Sequence, residues 1–274
     1  MLWNAKNGSV PIGSTEMSYV SFGNGEKAFI LLPGLSDGLT TVKGKAAMLA
    51  RPYRLFFEKY TVYMFSRKDD MPEDYSIRDM ADDQAEAMKA LGIRRASVMG
   101  VSQGGMIAQC LAIWHPELVE KLVIAVSAPC ANDPARSCVS RWMEYARQDE
   151  HKQLMISTAE NSYSPARLAR IRRAYPIIGL VGKPSDYRRF LINAEAILRF
   201  DARDELGKIA CPTLIIGGEE DKIVGAEASR ELNRRIPGSR IWLYEGLGHA
   251  AYEEARGFKA LVRDFFLEGE EKTE

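Results

Sequence analysis

A serine set among glycines is the first group in this chain that could do chemistry: Ser102 lies in Gly100-Val101-Ser102-Gln103-Gly104-Gly105. The apolar run Ala96 to Met99 precedes it and a helical pattern, Met106 to Trp114, follows. A serine on a tight strand-to-helix turn must accept strained backbone angles, and glycines on either side remove the side chains that would collide there. Such a turn pushes the hydroxyl into a cleft. The hydroxyl is a poor nucleophile at neutral pH, so it needs a base to take its proton and a carboxylate to orient that base. Three histidines are available. His115 ends the helix after the turn, where a cation has a purely electrostatic explanation. His151 stands among Asp149, Glu150 and Lys152 and reads as solvent-exposed. His249, in Gly246-Leu247-Gly248-His249-Ala250, follows the strand-like run Arg240 to Leu243 on a glycine loop suited to reaching a cleft. For the carboxylate, the run Thr213 to Ile216 leads into Gly217-Gly218-Glu219-Glu220-Asp221, which puts acids at the carboxyl end of a strand. One of the three faces His249, and a solvated turn is the reading for Glu219 and Glu220. Asp133, the other acid at a comparable position, ranks below Asp221.

The elements that must position these groups alternate. Strand-like runs recur at Met17 to Phe22, Ala28 to Leu32, Thr61 to Phe65, Ala96 to Met99, Leu122 to Val126, Thr213 to Ile216 and Arg240 to Leu243. The clearest helix is Ile77 to Leu91, with Ser76 as N-cap and Gly92 as stop. Strand and helix in alternation predict an α/β fold with a mostly parallel central sheet and helices on both faces. The exception is 130–205, where helical patterns at Val139 to Arg147, Ala166 to Tyr175 and Asp186 to Arg199 follow one another without a strand. This stretch reads as a helical cap inserted into a core made of 1–129 and 206–274. Bulky residues such as Trp142, Tyr145 and Phe190 are its pocket candidates, and its arginines, including Arg167, Arg170, Arg172, Arg173, Arg188 and Arg189, read as a solvated face.

Composition narrows the classes further. Lysine plus arginine and aspartate plus glutamate balance at 37 each, so no net field favours nucleic acid or an anionic membrane surface. Cys110, Cys130, Cys138 and Cys211 lack CxxC spacing and read as free thiols. Met1 to Gly13 is polar, no run approaches the ~18 apolar residues of a bilayer span, and Glu268 to Glu274 reads as a charged tail. A cytoplasmic protein without membrane insertion is the expectation; oligomeric state is not read from these features.

The chain resembles the α/β-hydrolase superfamily, through the serine turn, Tyr75-Ser76-Ile77, His115-Pro116-Glu117-Leu118-Val119, Gly218-Glu219-Glu220-Asp221-Lys222-Ile223-Val224 and Gly246-Leu247-Gly248-His249. The family order Ser, Asp or Glu, His is met by Ser102, Asp221 and His249, and its Gly-X-X-Asp pattern selects Asp221. The resemblance implies an oxyanion hole from the N–H groups of Gln103, after the nucleophile, and Leu35, in Leu32-Pro33-Gly34-Leu35-Ser36-Asp37. Pro33 stands where relatives commonly carry histidine, which leaves open which groups support that loop; Ser36 and Asp37 read as pocket-lining residues without assigned chemistry. The implied activity is a serine hydrolase acting on a carboxylic ester or related small-molecule acyl substrate through an acyl-enzyme on Ser102, needing no metal or organic cofactor. Relatives that open epoxides or remove halide carry aspartate as nucleophile, which Ser102 argues against. Carbon–carbon bond hydrolysis, amide cleavage, perhydrolysis and acyl transfer use the same triad, and a ligand receptor on the same fold is the alternative from another class.

Overall fold

In the computed structural model, which describes residues 2–269, eight strands form one sheet. They are β1 (Lys6–Ile12), β2 (Thr15–Phe22), β3 (Lys27–Leu32), β4 (Tyr60–Phe65), β5 (Ala96–Val101), β6 (Val119–Ala125), β7 (Thr213–Gly218) and β8 (Arg240–Tyr244), in the spatial order β1-β2-β4-β3-β5-β6-β7-β8. β2 is antiparallel to β1 and β4, and all remaining pairs are parallel. Every residue of β5 and β7 is buried, as expected of strands covered on both faces. Side chains alternate between two apolar layers: Ile30 and Leu32 face one, Phe29 and Leu31 the other. The first layer packs against α2 (Ile77–Ala90), α3 (Gln103–Trp114) and α8 (Ala226–Arg235), and the second against α1 (Ala46–Ala50) and α10 (Phe258–Leu267).

β1 was not expected from the sequence. Of its seven residues only Val10 and Ile12 are buried, and Pro11 is tolerated because β1 is an edge strand. The hydropathy signal of a half-wet edge is correspondingly weak. α2 starts as its sequence requires, with a capping box in which Ser76 Oγ accepts the Asp79 N–H and Asp79 Oδ2 accepts the Ser76 N–H.

Between β6 and β7 the chain forms α4 (Asp133–Arg147), α5 (His151–Ser162), α6 (Pro165–Ile171) and α7 (Arg188–Arg199), with short 3-10 turns. The two ends of this excursion meet. Cys130 and Asp201 form an isolated antiparallel bridge, flanked by Ala131 N–H to Phe200 O (3.0 Å) and Ala202 N–H to Pro129 O (2.9 Å). α5 is the helix the sequence concealed, because only His151, Leu154, Ala159 and Ser162 of its twelve residues are buried. His151 is therefore not the exposed histidine expected: its Nε2 lies 2.9 Å from Val181 O and its Nδ1 2.8 Å from the Tyr187 hydroxyl. The carbonyl can only accept, so Nε2 carries the proton and Nδ1 accepts from Tyr187. Arg189 also departs from the solvated reading, since its Nη2 lies 2.8 Å from Asp37 Oδ2.

The four cysteines are free, as expected. Among the described residues no helix is long and apolar enough to cross a membrane. Of the tail expected over Glu268 to Glu274, residues 270–274 lie outside the described span.

Candidate active site

β5 ends at the sheet's centre and hands the chain to α3 through Ser102, whose backbone takes φ 54° and ψ −119°. That is left-handed φ territory, costly for any residue with a Cβ. Ser102 N–H bonds to Ala125 O on β6 (2.9 Å), and Ser127 Oγ donates to Ser102 O (2.8 Å), so the strained residue is held from both sides. The neighbouring glycines are required by close approach. A Cβ on Gly100 would stand 2.1 Å from Gly104 O, and one on Gly104 2.0 Å from Leu32 O. α3 therefore starts directly against the end of β3.

His249 reaches Ser102 from the loop between β8 and α9 (Ala251–Glu254), with its Nε2 2.9 Å from Ser102 Oγ. On its other side, Nδ1 lies 2.8 Å from Asp221 Oδ2. Asp221 sits just past β7, and its second oxygen, Oδ1, accepts the N–H groups of Ile223 (2.8 Å) and Val224 (3.0 Å). An ionised carboxylate only accepts, which puts the ring proton on Nδ1 and leaves Nε2 free to accept from the serine. Burial works to raise the Asp221 carboxyl, but the His249 ring, the bond to it and the two backbone donors outweigh burial and hold it below the usual carboxylate range. The two loops are stitched together by Glu220 N–H to Leu247 O (2.9 Å), and a Cβ on Gly218 would stand 2.3 Å from that same oxygen.

The other sequence candidates fall elsewhere. Glu219 pairs with Arg230 (2.7 Å), Glu220 is exposed, and Asp133 is exposed at the start of α4. His115 follows α3 and its Nε2 lies 2.7 Å from Asp82 Oδ1. Leu35 and Gln103 each begin a helical turn, Leu35 a 3-10 turn (Leu35–Gly38) and Gln103 the helix α3, so both N–H groups belong to the set that has no acceptor within its own turn. Gly34 brings the first of these turns to the serine: a Cβ there would lie 3.3 Å from Ser102 Cβ.

Pro33 leaves a histidine's place empty, and an arginine that sequence reasoning missed supports the loop. Arg67, 1% exposed, donates from Nη2 to Pro33 O (2.7 Å) and to Gln103 Oε1 (2.9 Å). Asp37 Oδ2 accepts the Arg67 N–H (3.0 Å) and a bond from Arg189 Nη2 of α7 (2.8 Å). Ser127, Arg67 and Asn193, whose backbone O accepts from Gln103 Nε2 at 2.7 Å, carry no local sequence signal, since their partners lie 25, 36 and 90 residues away.

Comparison with known proteins agrees with the fold. A family model described as alpha/beta hydrolase fold matches residues 63–255. The chain is 29% identical over 272 residues to the serine hydrolase BPHL of Mus musculus, covering 93% of this chain and 84% of that protein. It is 30% identical over 197 residues to the pimeloyl-[acyl-carrier protein] methyl ester esterase of Neisseria meningitidis, 66% of this chain and 60% of that one. Among solved structures, MGS-M2, an alpha/beta hydrolase enzyme from a Medee basin deep-sea metagenome library, superposes with a TM-score of 0.83 at 19% identity, covering 94% of this chain and 97% of that one. With a matching model over most of its length and a sheet of the corresponding build, the chain belongs to the α/β-hydrolase family.

Proposed function

We propose that this hydrolase acts on a carboxylic ester or a related acyl substrate through an acyl-enzyme on Ser102. One observation carries the reading: the unbroken line from Asp221 Oδ2 to His249 Nδ1 (2.8 Å) and from His249 Nε2 to Ser102 Oγ (2.9 Å), ending on a serine held at φ 54°. In this line Ser102 Oγ attacks the acyl carbon as its proton passes to His249 Nε2. Asp221 holds the ring in the required tautomer and stabilises the imidazolium. The carbonyl oxygen, now an oxyanion, is received by the N–H groups of Leu35 and Gln103. The tetrahedral adduct collapses as His249 returns the proton to the departing oxygen. Water, deprotonated by the same nitrogen, then releases the acid and restores Ser102.

Within this proposal 1–129 and 206–274 form the catalytic core, and the helices of 130–205 are a cap that sets substrate selectivity. Phe190 supports that placement: a Cβ on Gly38, in the turn that begins with Leu35, would stand 2.8 Å from Phe190 Cα. The ester preference draws support from the methyl ester esterase among the relatives.

The test is labelling with a fluorophosphonate, read by intact mass, beside turnover of p-nitrophenyl acetate. The expected result is one adduct on Ser102 in the wild type and none in Ser102→Ala or at reduced rate in His249→Ala. A folded wild type that accepts the probe into its pocket without forming an adduct would point to a ligand receptor on this fold.

A further inference from the structure

The two proposed oxyanion donors belong to different parts of the chain, and something must hold them at a fixed separation. Leu35 opens the turn after β3, and Gln103 opens α3. One nitrogen joins the two segments. Arg67 Nη2 has two hydrogens, and they go to Pro33 O (2.7 Å), two residues before Leu35, and to Gln103 Oε1 (2.9 Å).

The bridge continues into the cap. Gln103 Nε2 donates to Asn193 O on α7 (2.7 Å). Arg189, one turn earlier on that helix, donates to Asp37 Oδ2 (2.8 Å) and O (3.2 Å) and to the carbonyls of Arg67 (2.7 Å) and Lys68 (2.8 Å). Asp37 Oδ2 also accepts the Arg67 N–H (3.0 Å). Asp37, Arg67, Gln103 and Asn193 are each at most 2% exposed, and Arg189 is partly exposed.

Two features separate this arrangement from packing alone. Among the described residues Asp37 Oδ1, Arg67 Nε and Asn193 Oδ1 are buried without a hydrogen-bond partner, so the cluster carries a desolvation cost that an apolar filling would avoid. It also brings two guanidinium cations near one carboxylate: Arg189 pairs with Asp37 directly (2.8 Å), while Arg67 bonds Asp37 through its main-chain N–H and turns its guanidinium to Pro33 O and Gln103 Oε1. Burial lowers the Arg67 guanidinium from arginine's ordinary range while Asp37 opposes that shift, and the group remains a cation.

We infer that Arg67, anchored through Asp37, Arg189 and Asn193, is a positioning residue that sets the spacing of the Leu35 and Gln103 N–H groups, so that the oxyanion hole is complete only with α7 of the cap seated. This rests on the serine hydrolase reading. The cap then acts on the rate of the chemical step as well as on which substrate enters.

Two variants test it. Gln103→Met keeps the backbone N–H and the side-chain length but loses both anchors, and Arg189→Met unseats α7 at a partly exposed position, where the fold is less at risk. The readouts are kcat and KM for p-nitrophenyl acetate and the affinity for an aryl trifluoromethyl ketone, whose adduct with the serine carries an oxyanion. The non-reacting methyl ketone of the same shape serves as control. Displacing a donor without removing it is expected to lower kcat about ten- to a hundred-fold in Gln103→Met and by a smaller factor in Arg189→Met, with KM nearly unchanged. Affinity for the trifluoromethyl ketone should fall by the same factor, and that for the methyl ketone should hold. Folded variants with wild-type kcat and trifluoromethyl ketone affinity would overturn the inference, as would a loss confined to KM. If Gln103→Met fails to fold, Arg189→Met decides by the same criteria. A wild type that neither turns over nor takes the fluorophosphonate would instead remove the hydrolase reading, and this inference with it.

Discussion

Replacing Asp221 by asparagine poses a choice that the structure resolves. An amide offers one oxygen and one NH2 where the carboxylate offered two oxygens. Oδ1 of Asp221 receives two backbone donors, Ile223 N–H at 2.8 Å and Val224 N–H at 3.0 Å, whereas Oδ2 receives one, from His249. If the amide oxygen turned to His249, its NH2 would confront both backbone N–H groups and leave two buried donors unmet. At about 1–3 kcal/mol for each unsatisfied group, that orientation is disfavoured by about 2–6 kcal/mol before any donor–donor repulsion. The oxygen therefore stays with Ile223 and Val224, and the NH2 faces His249 Nδ1. The ring must then accept at Nδ1 and carry its proton on Nε2, the nitrogen 2.9 Å from Ser102 Oγ that accepts the serine proton in the proposed mechanism. The working tautomer is lost, along with the negative charge that stabilises the imidazolium. A loss of about 10³- to 10⁴-fold in kcat is expected, the scale seen when a triad acid is neutralised this way. The assay is steady-state hydrolysis of p-nitrophenyl acetate, with circular dichroism to check folding. Glu220→Gln, on an exposed side chain one residue away, should change the rate less than about two-fold. An Asp221→Asn enzyme keeping a tenth of wild-type kcat would refute the tautomer argument.

Further outcomes follow from the same geometry. Ser102→Gly should lose turnover yet melt no lower than wild type: relief of the φ 54° strain is worth about 1–3 kcal/mol against about 0.5–1 kcal/mol for glycine's extra chain entropy, and a melting temperature lowered by more than about 3 °C in calorimetry would contradict this. Gly104→Ala should destabilise by at least about 1–3 kcal/mol in urea unfolding, because its Cβ would stand 2.0 Å from a main-chain oxygen, Leu32 O, that cannot yield independently; a stable, fully active variant would mean that β3 and α3 are not in direct contact. The depressed Asp221 carboxyl gives stability that is present above the ordinary carboxylate range, about pH 4, and is lost as pH falls through its lower native value, so acid unfolding should be steeper in wild type than in Asp221→Asn.

The residues of the line from Asp221 to Ser102 were legible because each one's backbone demand leaves letters beside it. Ser102 requires glycine at 100 and 104, where a Cβ would meet main chain at about 2 Å, and His249 lies on a loop that Gly218 must pass closely. Asp221 was separable from Glu219 and Glu220 by family spacing, and the structure supplies the physical counterpart: only Asp221 has the N–H groups two and three residues ahead turned back onto its carboxylate. Arg67 was not legible. Its partners are a carbonyl at Pro33 and a side chain at Gln103, 34 and 36 residues away, and nothing in Ser66-Arg67-Lys68 distinguishes it from a surface arginine. Arg189 and His151 were misread for a related reason, since charged neighbours such as Arg188, Asp149 and Lys152 report the exposed side of a helix or turn and not the side that packs. β1 escaped because an edge strand buries too few side chains to leave a period of two.

The helical segment between β6 and β7, the proposed cap, holds the rest of the chain at two separate places, and under the proposed mechanism each controls a different half of the reaction. Near the base, Ala250 N–H bonds to Ser162 O (2.9 Å), Tyr163 OH donates to Glu253 (2.8 Å), and Ser164 donates through N–H (2.9 Å) and Oγ (2.6 Å) to Glu254. These contacts hold the residue after His249 and the short helix α9 beyond it. Near the oxyanion donors, Arg189 and Asn193 hold Asp37 and Gln103. The two grips come from the end of α5 with the turn after it and from α7, so they need not loosen together. Exchanging the interior of the cap while keeping 162–164, Arg189 and Asn193 should therefore redistribute preference among esters with kcat for the smallest ester preserved. Exchanging Arg189 as well should lower kcat for every ester by a similar factor. A panel graded in acyl length separates the two, because a change of selectivity alters the ranking of substrates and a displaced oxyanion hole leaves the ranking intact while the whole series slows.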